Sequence, residues 1–132
     1  MKIASSLAIM LLCTFFVQAA EYATPFPIVG VPKSATAEQR STAERLGREF
    51  GMVVSTLDTN PVCCVWLELR HWRPNPGEDG YVIVHQPGGT LITASTQQQL
   101  DAAVERFIKS SRKRNGKREA PVGLMTSYEV VK

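Results

Sequence analysis

Apolar side chains recur at helical spacing in two stretches of this chain. The repeats follow the i, i+3, i+4, i+7 pattern of an amphipathic helix that buries one face. They predict one helix over Ser34–Gly51 and a second over Thr96–Arg112. The apolar positions are Ala43, Leu46, Gly47 and Phe50 in the first stretch, and Leu100, Ala103, Val104, Phe107 and Ile108 in the second.

Residues suited to helix ends flank both stretches. Thr36 and Thr96 can cap the two N-termini, and Gln39 and Gln99 follow them at the spacing of a capping box. Gly51 stands where the first helix needs a residue with left-handed backbone. The end signals therefore agree with the apolar pattern.

Alternation of apolar and polar residues elsewhere predicts β-strands. The link Gln86–Gly89 contains two glycines and predicts an antiparallel hairpin. Prolines and glycines across residues 71–80 predict a loop. Proline near the first strand predicts an edge position, where a missing amide hydrogen is tolerated. The predicted strands cover Pro27–Val31, Met52–Thr56, Val62–Arg70, Tyr81–His85, Thr90–Ala94 and Leu124–Val131.

The order of these elements predicts an α+β fold. Two amphipathic helices need one apolar surface on which to pack. We therefore expect a single, mostly antiparallel sheet with both helices on one face. In the predicted strand Val62–Arg70, alternate residues from Cys63 to Leu69 are apolar and are expected to meet the core, while the opposite face is mixed.

The N-terminus has the pattern of a secretory signal peptide. Lys2 precedes an apolar run, Ile3–Val17, that is short for a membrane span, and Val17–Ala19 forms a small-x-small cleavage site. We expect cleavage near Ala19 and a secreted or periplasmic protein. The predicted organisation is a signal peptide at 1–19, an N-terminal segment at 20–33 and a single domain at 34–132.

Positive charge is concentrated near the C-terminus. The formal net charge is only +3, but the run Lys109–Arg118 is strongly basic. Such a run attracts polyanions. Secretion disfavours nucleic acid and favours anionic glycans, cell-wall polymers or lipid headgroups; the alternative is an ordinary solvated helix end and loop. The candidate polyanion contacts are Lys109, Arg112, Lys113, Arg114, Lys117 and Arg118.

Cysteine and histidine give little sign of a metal site. Cys63 and Cys64 are adjacent, which is too close for an ordinary disulfide, and strand geometry points them to opposite faces. We expect buried thiols, with an intermolecular disulfide or a reactive thiol as the alternative. With His71 and His85 they match no compact zinc spacing, so we predict no metal and no cofactor.

Signals of catalysis are also weak. The chain has no Gly-x-Ser-x-Gly element. Glu78 and Asp79 are adjacent and are expected to form a turn, whereas glycoside hydrolysis needs two carboxyl groups that face each other across a bond. We therefore predict a non-enzyme, with an enzyme on an unrecognised site as the third hypothesis.

Three aromatic side chains are candidates for ligand binding. Trp66, Trp72 and Tyr81 could present flat rings to the apolar faces of sugars. Tyr and Trp are also enriched at protein interfaces. Packing in the core or pinning of a loop is the alternative role.

Residues 26–112 resemble a known domain. The helix AEQRSTAERLGREFG, a strand, and then EDGYVIVHQPGGTLITAS leading into a helix are similar to the small non-catalytic N-terminal domain of β-N-acetylhexosaminidases and α-glucuronidases. The glycine usual early in the second helix has no counterpart in this sequence, and we expect no catalytic barrel among these residues. The resemblance implies a bacterial scaffold module that is associated with glycans; a protein-interaction or assembly subunit of the cell envelope is the alternative.

Overall fold

The computed structural model describes residues 21–70 and 78–130. Two helices lie in these ranges, α1 (Ala37–Phe50) and α2 (Gln97–Ser110). Within the described ranges, neither helix has the length and apolar character that crossing a bilayer requires. The strands are β1 (Tyr22–Ala23), β2 (Ile28–Pro32), β3 (Val53–Leu57), β4 (Val65–Leu69), β5 (Glu78–Gln86), β6 (Gly89–Ala94), β7 (Arg112–Arg114), β8 (Lys117–Pro121) and β9 (Gly123–Val130).

The larger sheet has six strands in the order β3-β2-β4-β6-β5-β9. Strands β3, β2, β4 and β6 are parallel neighbours, whereas β5 pairs antiparallel with both β6 and β9. The sheet is therefore mixed rather than mostly antiparallel. The parallel pairs arise because long connections, one of them α1, separate strands that become neighbours.

A second sheet corrects the prediction of a single one. It has three strands in the order β1-β8-β7, all antiparallel. Helix α2 ends at Ser110 instead of Arg112, and the basic run after it forms the β7–β8 hairpin. Asn115 and Gly116 have φ angles of 52° and 77°, the values of a type I′ turn. The Asn-Gly pair was the sequence signal for this hairpin.

Both helices pack on one face of the larger sheet, as predicted. The Thr36–Gln39 capping box is present, Thr96 Oγ accepts from the Gln99 amide, and Gly51 is left-handed with φ of 68°. The fully buried core between helices and sheet includes Val29, Val31, Leu46, Val65, Leu67, Ile83, Ile92, Leu100, Val104 and Phe107.

Strand β2 lies inside the sheet, so the edge prediction for Pro27–Val31 is wrong. It is hydrogen-bonded to β3 on one side and β4 on the other. Proline is compatible with this position because Pro27 precedes the strand and Pro32 is its last residue. The segment 20–33 thus contributes an interior strand to the domain that follows it.

Strand β4 starts three residues later than predicted. Val62 has a φ of 70°, which interrupts the extended backbone. Cys63 is exposed, contrary to the expectation that it meets the core, while Cys64 is buried. The expectation of two buried thiols therefore holds for one of them, and both thiols are free. Glu78 and Asp79 begin β5 instead of forming a turn. Of the predicted loop, residues 71–77 lie outside the described ranges.

Candidate ligand-binding site

A cleft of about 480 Å³ opens beside the basic hairpin. We call it the hairpin cleft. Its walls are the segment Thr24–Pro27, the C-terminal end of α1 with the turn into β3, and the β7–β8 hairpin. This volume lies within the roughly 300–1,000 Å³ typical of small-molecule sites. The cleft therefore brings together three parts of the chain that are distant in sequence.

The floor of the hairpin cleft is apolar. Pro25 is buried, and Phe50 and Met52 are half-buried. The Phe50 ring stacks on that of Phe107, with 5.2 Å between centroids, which anchors the floor to the core. Gly51 has left-handed backbone and ends α1. It turns the chain, and Phe50 and Met52 lie on either side of this turn.

The rim of the cleft is basic. Lys113, Lys117 and Arg118 line it, together with Gly116 of the turn. In the hairpin register, Lys113 lies opposite Arg118, and Arg114 lies opposite Lys117. Like charges directly opposite each other destabilise an antiparallel pair. The hairpin thus carries an electrostatic cost that a bound anion would relieve.

Two arginines of the run have partners within the fold. The Arg112 guanidinium carbon lies 3.8 Å from the centre of the Tyr22 ring, and its Nε donates to Glu119 at 2.7 Å. Arg118 Nη1 donates to Ser111 Oγ at 2.9 Å. Arg118 also donates to the Glu49 carbonyl and lies 3.5 Å from its carboxylate. Both arginines therefore fix the hairpin against its surroundings.

The other basic side chains of the run differ in whether they form an ion pair. Lys109 lies 3.6 Å from the Glu105 carboxylate on α2. Among the described residues, Lys113, Arg114 and Lys117 form no ion pair, and all three are exposed. Only Lys113 and Lys117 of these three line the cleft. The structure therefore separates the six predicted polyanion contacts into partnered and unpartnered cations.

A buried histidine anchors the cleft's N-terminal wall. His85 Nε2 lies 2.9 Å from the Ala23 carbonyl oxygen, and Nδ1 lies 2.7 Å from Thr90 Oγ1. His85 is fully buried, and burial lowers its pKa, although the Ala23 carbonyl acts in the opposite direction. The Val122 amide also donates to Glu21, so strand β1 is held at both ends.

The three aromatic candidates do not form one platform among the described residues. Trp66 is 4% exposed on the sheet face opposite the helices, where its indole Nε1 donates to Glu68 at 3.2 Å. Tyr81 is 6% exposed in the helix-side core, and its hydroxyl accepts from Arg106 at 3.2 Å. Trp72 lies outside the described ranges. Ligand binding by these residues stays a prediction.

The candidate metal ligands are similarly dispersed. Across residues 21–70 and 78–130, no three His, Cys, Asp or Glu side chains come together as a metal site would require. Cys64 is buried, and its burial raises the pKa of the thiol, which opposes the thiolate form that metals bind. His71 lies outside those ranges.

The basic rim of the cleft was predictable from the sequence, but its apolar floor was not. Phe50 was assigned to the apolar stripe of a helix, and Pro25 and Met52 carried no functional signal. Prolines and an apolar side chain beside a glycine C-cap are common in any fold. Only the packing of three distant segments gives them a shared surface.

Solved structures of glycan-processing enzymes contain the same fold. Streptomyces plicatus β-hexosaminidase, as a D313A mutant in complex with product GlcNAc, matches 83% of this chain at 18% identity and a TM-score of 0.58. The GH20 β-N-acetylhexosaminidase of Streptomyces coelicolor A3(2) matches 83% at 17% identity and 0.62. Flavobacterium johnsoniae chitobiase matches 82% at 13% identity and 0.55.

The match covers a small part of each enzyme. This chain spans 23% of either Streptomyces structure and 18% of the Flavobacterium one. No protein-family model and no curated protein matches the chain. The predicted resemblance to β-N-acetylhexosaminidases is thus confirmed as a shared fold: the chain has the fold of a small domain of these enzymes. The α-glucuronidase part of the resemblance stays a prediction.

Proposed function

We propose that this protein is a secreted, non-catalytic module that binds carbohydrate in the hairpin cleft. The observation that carries the proposal is the cleft itself, with an apolar floor beneath a polar, basic rim. Sugars match such a surface because their C–H faces pack on apolar groups while their hydroxyls hydrogen-bond to the rim. The shared fold with enzymes that process N-acetylhexosamines supports the same class of ligand.

The carboxylates of the cleft favour binding over hydrolysis. Of the described residues that line it, Glu49 is the one acid, and its carboxylate lies 3.5 Å from Arg118. Glycosidases usually place two carboxyl groups about 5–9 Å apart across the scissile bond. A single carboxylate beside an arginine serves better as an acceptor for sugar hydroxyls. We expect no glycosidase activity.

Secretion is part of the proposal and rests on residues 1–19. Their basic start, apolar run and Val17–Ala19 site are the features of a cleaved signal. Expression of the full chain in a bacterial host, followed by cell fractionation and intact mass measurement, tests it. We expect the mass of a chain starting at Ala20 in the periplasm or medium. A full-length protein retained in the cytoplasm would contradict this part.

Substitution in the floor of the cleft tests carbohydrate binding. Met52→Glu places a carboxylate among the apolar groups that would contact a sugar. Val53→Glu is the matched control, because Val53 is exposed and does not line the cleft. Binding is measured by calorimetry and by chemical-shift changes with a panel of neutral and acidic oligosaccharides. We expect Met52→Glu, and not Val53→Glu, to lose binding.

The unfolding temperature of each variant separates lost binding from lost folding. A variant that binds no sugar but unfolds as the parent does identifies the floor as the binding surface. If the parent protein binds no member of the panel at millimolar concentration, the proposal is wrong. The assembly-subunit and unrecognised-enzyme hypotheses stay predictions.

A further inference from the structure

We propose that the ligand of the hairpin cleft is an acidic sugar whose oxyanion, a carboxylate or a sulfate ester, is bound by the Lys113 ammonium group. This inference rests on the proposed function and adds the chemical class of the ligand. It comes from the charge balance of the hairpin and from the composition of the cleft walls. Lys113 is also the residue on which it can be tested.

The charge of the hairpin is unbalanced. Arg112 lies opposite Glu119, with which it forms a salt bridge. The two pairs nearer the turn, Lys113 with Arg118 and Arg114 with Lys117, place cation against cation. Each such pair is unfavourable. The two pairs lie on opposite faces of the hairpin, and an anion in the cleft offsets the repulsion between Lys113 and Arg118.

The cations of the hairpin are not equivalent. Arg118 already has the Glu49 carboxylate and the Ser111 hydroxyl as partners. Lys113 and Lys117 have no such partner among the described residues, and both border the cleft. A lysine ammonium acts as a point charge with three donors, so it accommodates a planar carboxylate and a tetrahedral sulfate equally. Lys113 shares a face of the hairpin with Arg118, which reaches Glu49 at the cleft. Lys117 shares the opposite face with Arg114. Lys113 is therefore the free anion contact.

The cleft suits an acidic sugar better than a small inorganic anion. Glu49 lines the cleft and repels a densely charged ligand, but its oxygens can accept hydrogen bonds from hydroxyls. Phe50 and Met52 form an apolar floor that an inorganic anion cannot use. A molecule with one oxyanion, several hydroxyls and an apolar face fits all three surfaces. Uronic acids and sulfated sugars have this combination.

Calorimetry on the protein purified from full-length expression tests the proposal. The probes are a galacturonate trisaccharide, a sulfated galactose trisaccharide and a neutral N-acetylglucosamine trisaccharide, each at low and at physiological salt. We expect at least one acidic probe to bind about tenfold or more tightly than the neutral one, the factor of a single charge-assisted contact. The tighter acidic probe identifies the oxyanion as carboxylate or sulfate, and either result supports the proposal.

Two variants with the same change of charge distinguish anion binding in the cleft from general attraction by the positive charge of the hairpin. Lys113→Gln removes a cleft-lining ammonium, and Arg114→Gln removes the neighbouring charge that does not line the cleft. Both residues are exposed, so both variants should fold. We expect Lys113→Gln to weaken the acidic probe roughly tenfold and Arg114→Gln to weaken it less than about threefold.

Each contrary result has a distinct meaning. Neutral and acidic probes of equal affinity would overturn the acidic-sugar inference and leave the proposed carbohydrate function intact. Equal losses in the two variants, with binding abolished at physiological salt, would reduce the site to unspecific attraction by the hairpin and overturn the inference as well. If no probe binds, both the inference and the proposed function fail.

Discussion

The guanidinium carbon of Arg112 lies 3.8 Å from the centre of the Tyr22 ring, which joins the N-terminal strand β1 to the basic hairpin. Strands β1 and β7 are not neighbours, because β8 lies between them. The stacking therefore crosses the small sheet and supplements its backbone pairing. It also explains why Arg112, although part of the basic run, does not act as a free cation.

Loss of this stacking should destabilise the small sheet. We expect Tyr22→Ala to lower the free energy of unfolding by about 1 kcal/mol, the magnitude of a partly exposed cation–π pair plus lost ring contact. Tyr22→Phe keeps the ring face and is the control. Urea unfolding measures both variants. A loss as large in the phenylalanine variant would show that the hydroxyl, and not the ring, stabilises this sheet.

The Asn115–Gly116 turn should control the shape of the hairpin. Both residues have positive φ, and asparagine tolerates this region better than other residues with a Cβ atom. We expect Asn115→Ala to destabilise the protein by about 1 kcal/mol and Asn115→Gly to leave its stability nearly unchanged. Thermal unfolding distinguishes them. Equal stability of the alanine variant and the parent would contradict the need for this turn.

Gly89 and Gly88 offer a matched pair of substitutions. A Cβ atom at Gly89 would overlap the Val62 carbonyl oxygen, whereas a Cβ at Gly88 would meet nothing within 4 Å. Gly89→Ala should therefore force the chain at Val62 away from the β5–β6 hairpin. We expect it to cost about 3 kcal/mol or more, with Gly88→Ala within about 0.5 kcal/mol of the parent. Comparable losses in the two variants would contradict the close approach.

His85 should make stability dependent on pH. Burial lowers its pKa below the ordinary value of about 6.5, so the folded protein holds the neutral imidazole. Below pH 6.5 the unfolded chain takes up the proton first, and the free energy of unfolding falls until the pH reaches the lowered pKa of the folded state. Above pH 6.5 this contribution is complete.

Replacement of the same histidine isolates its effect. We expect the free energy of unfolding of His85→Gln to change less between pH 7 and pH 5 than that of the parent, since His71 is present in both proteins. Urea titrations at several pH values measure the difference. Parallel pH profiles for the two proteins would rule out His85 as the group responsible.

The helices and the β5–β6 hairpin follow from local sequence. Periodic apolar residues define the faces of α1 and α2, and Thr36, Gln39 and Gly51 satisfy backbone groups that any helix end leaves free. The two-residue turn between Gln86 and Gly89 likewise depends on nearby residues. Such signals can be predicted because the atoms that interact are close along the chain.

The mixed sheet and the second sheet depend on tertiary packing. Alternation cannot say which strands become neighbours, so neither the interior place of β2 nor the pairing of β1 with β8 was predictable from it. The Asn-Gly turn is a local signal for the β7–β8 hairpin. The hairpin was nevertheless not predicted, because the basic residues on either side of the turn resemble a solvated helix end.

The candidate site was likewise predictable from the sequence only in part. The sequence by itself determined that positive charge collects at residues 109–118 and that the helices have apolar faces. Only the tertiary structure decided that Lys113 and Lys117 border a cleft over Phe50 and Met52, while Trp66 and Tyr81 are buried on opposite faces of the sheet. The physical reason is that charge and periodicity are properties of local sequence, whereas a binding surface forms where distant segments pack together.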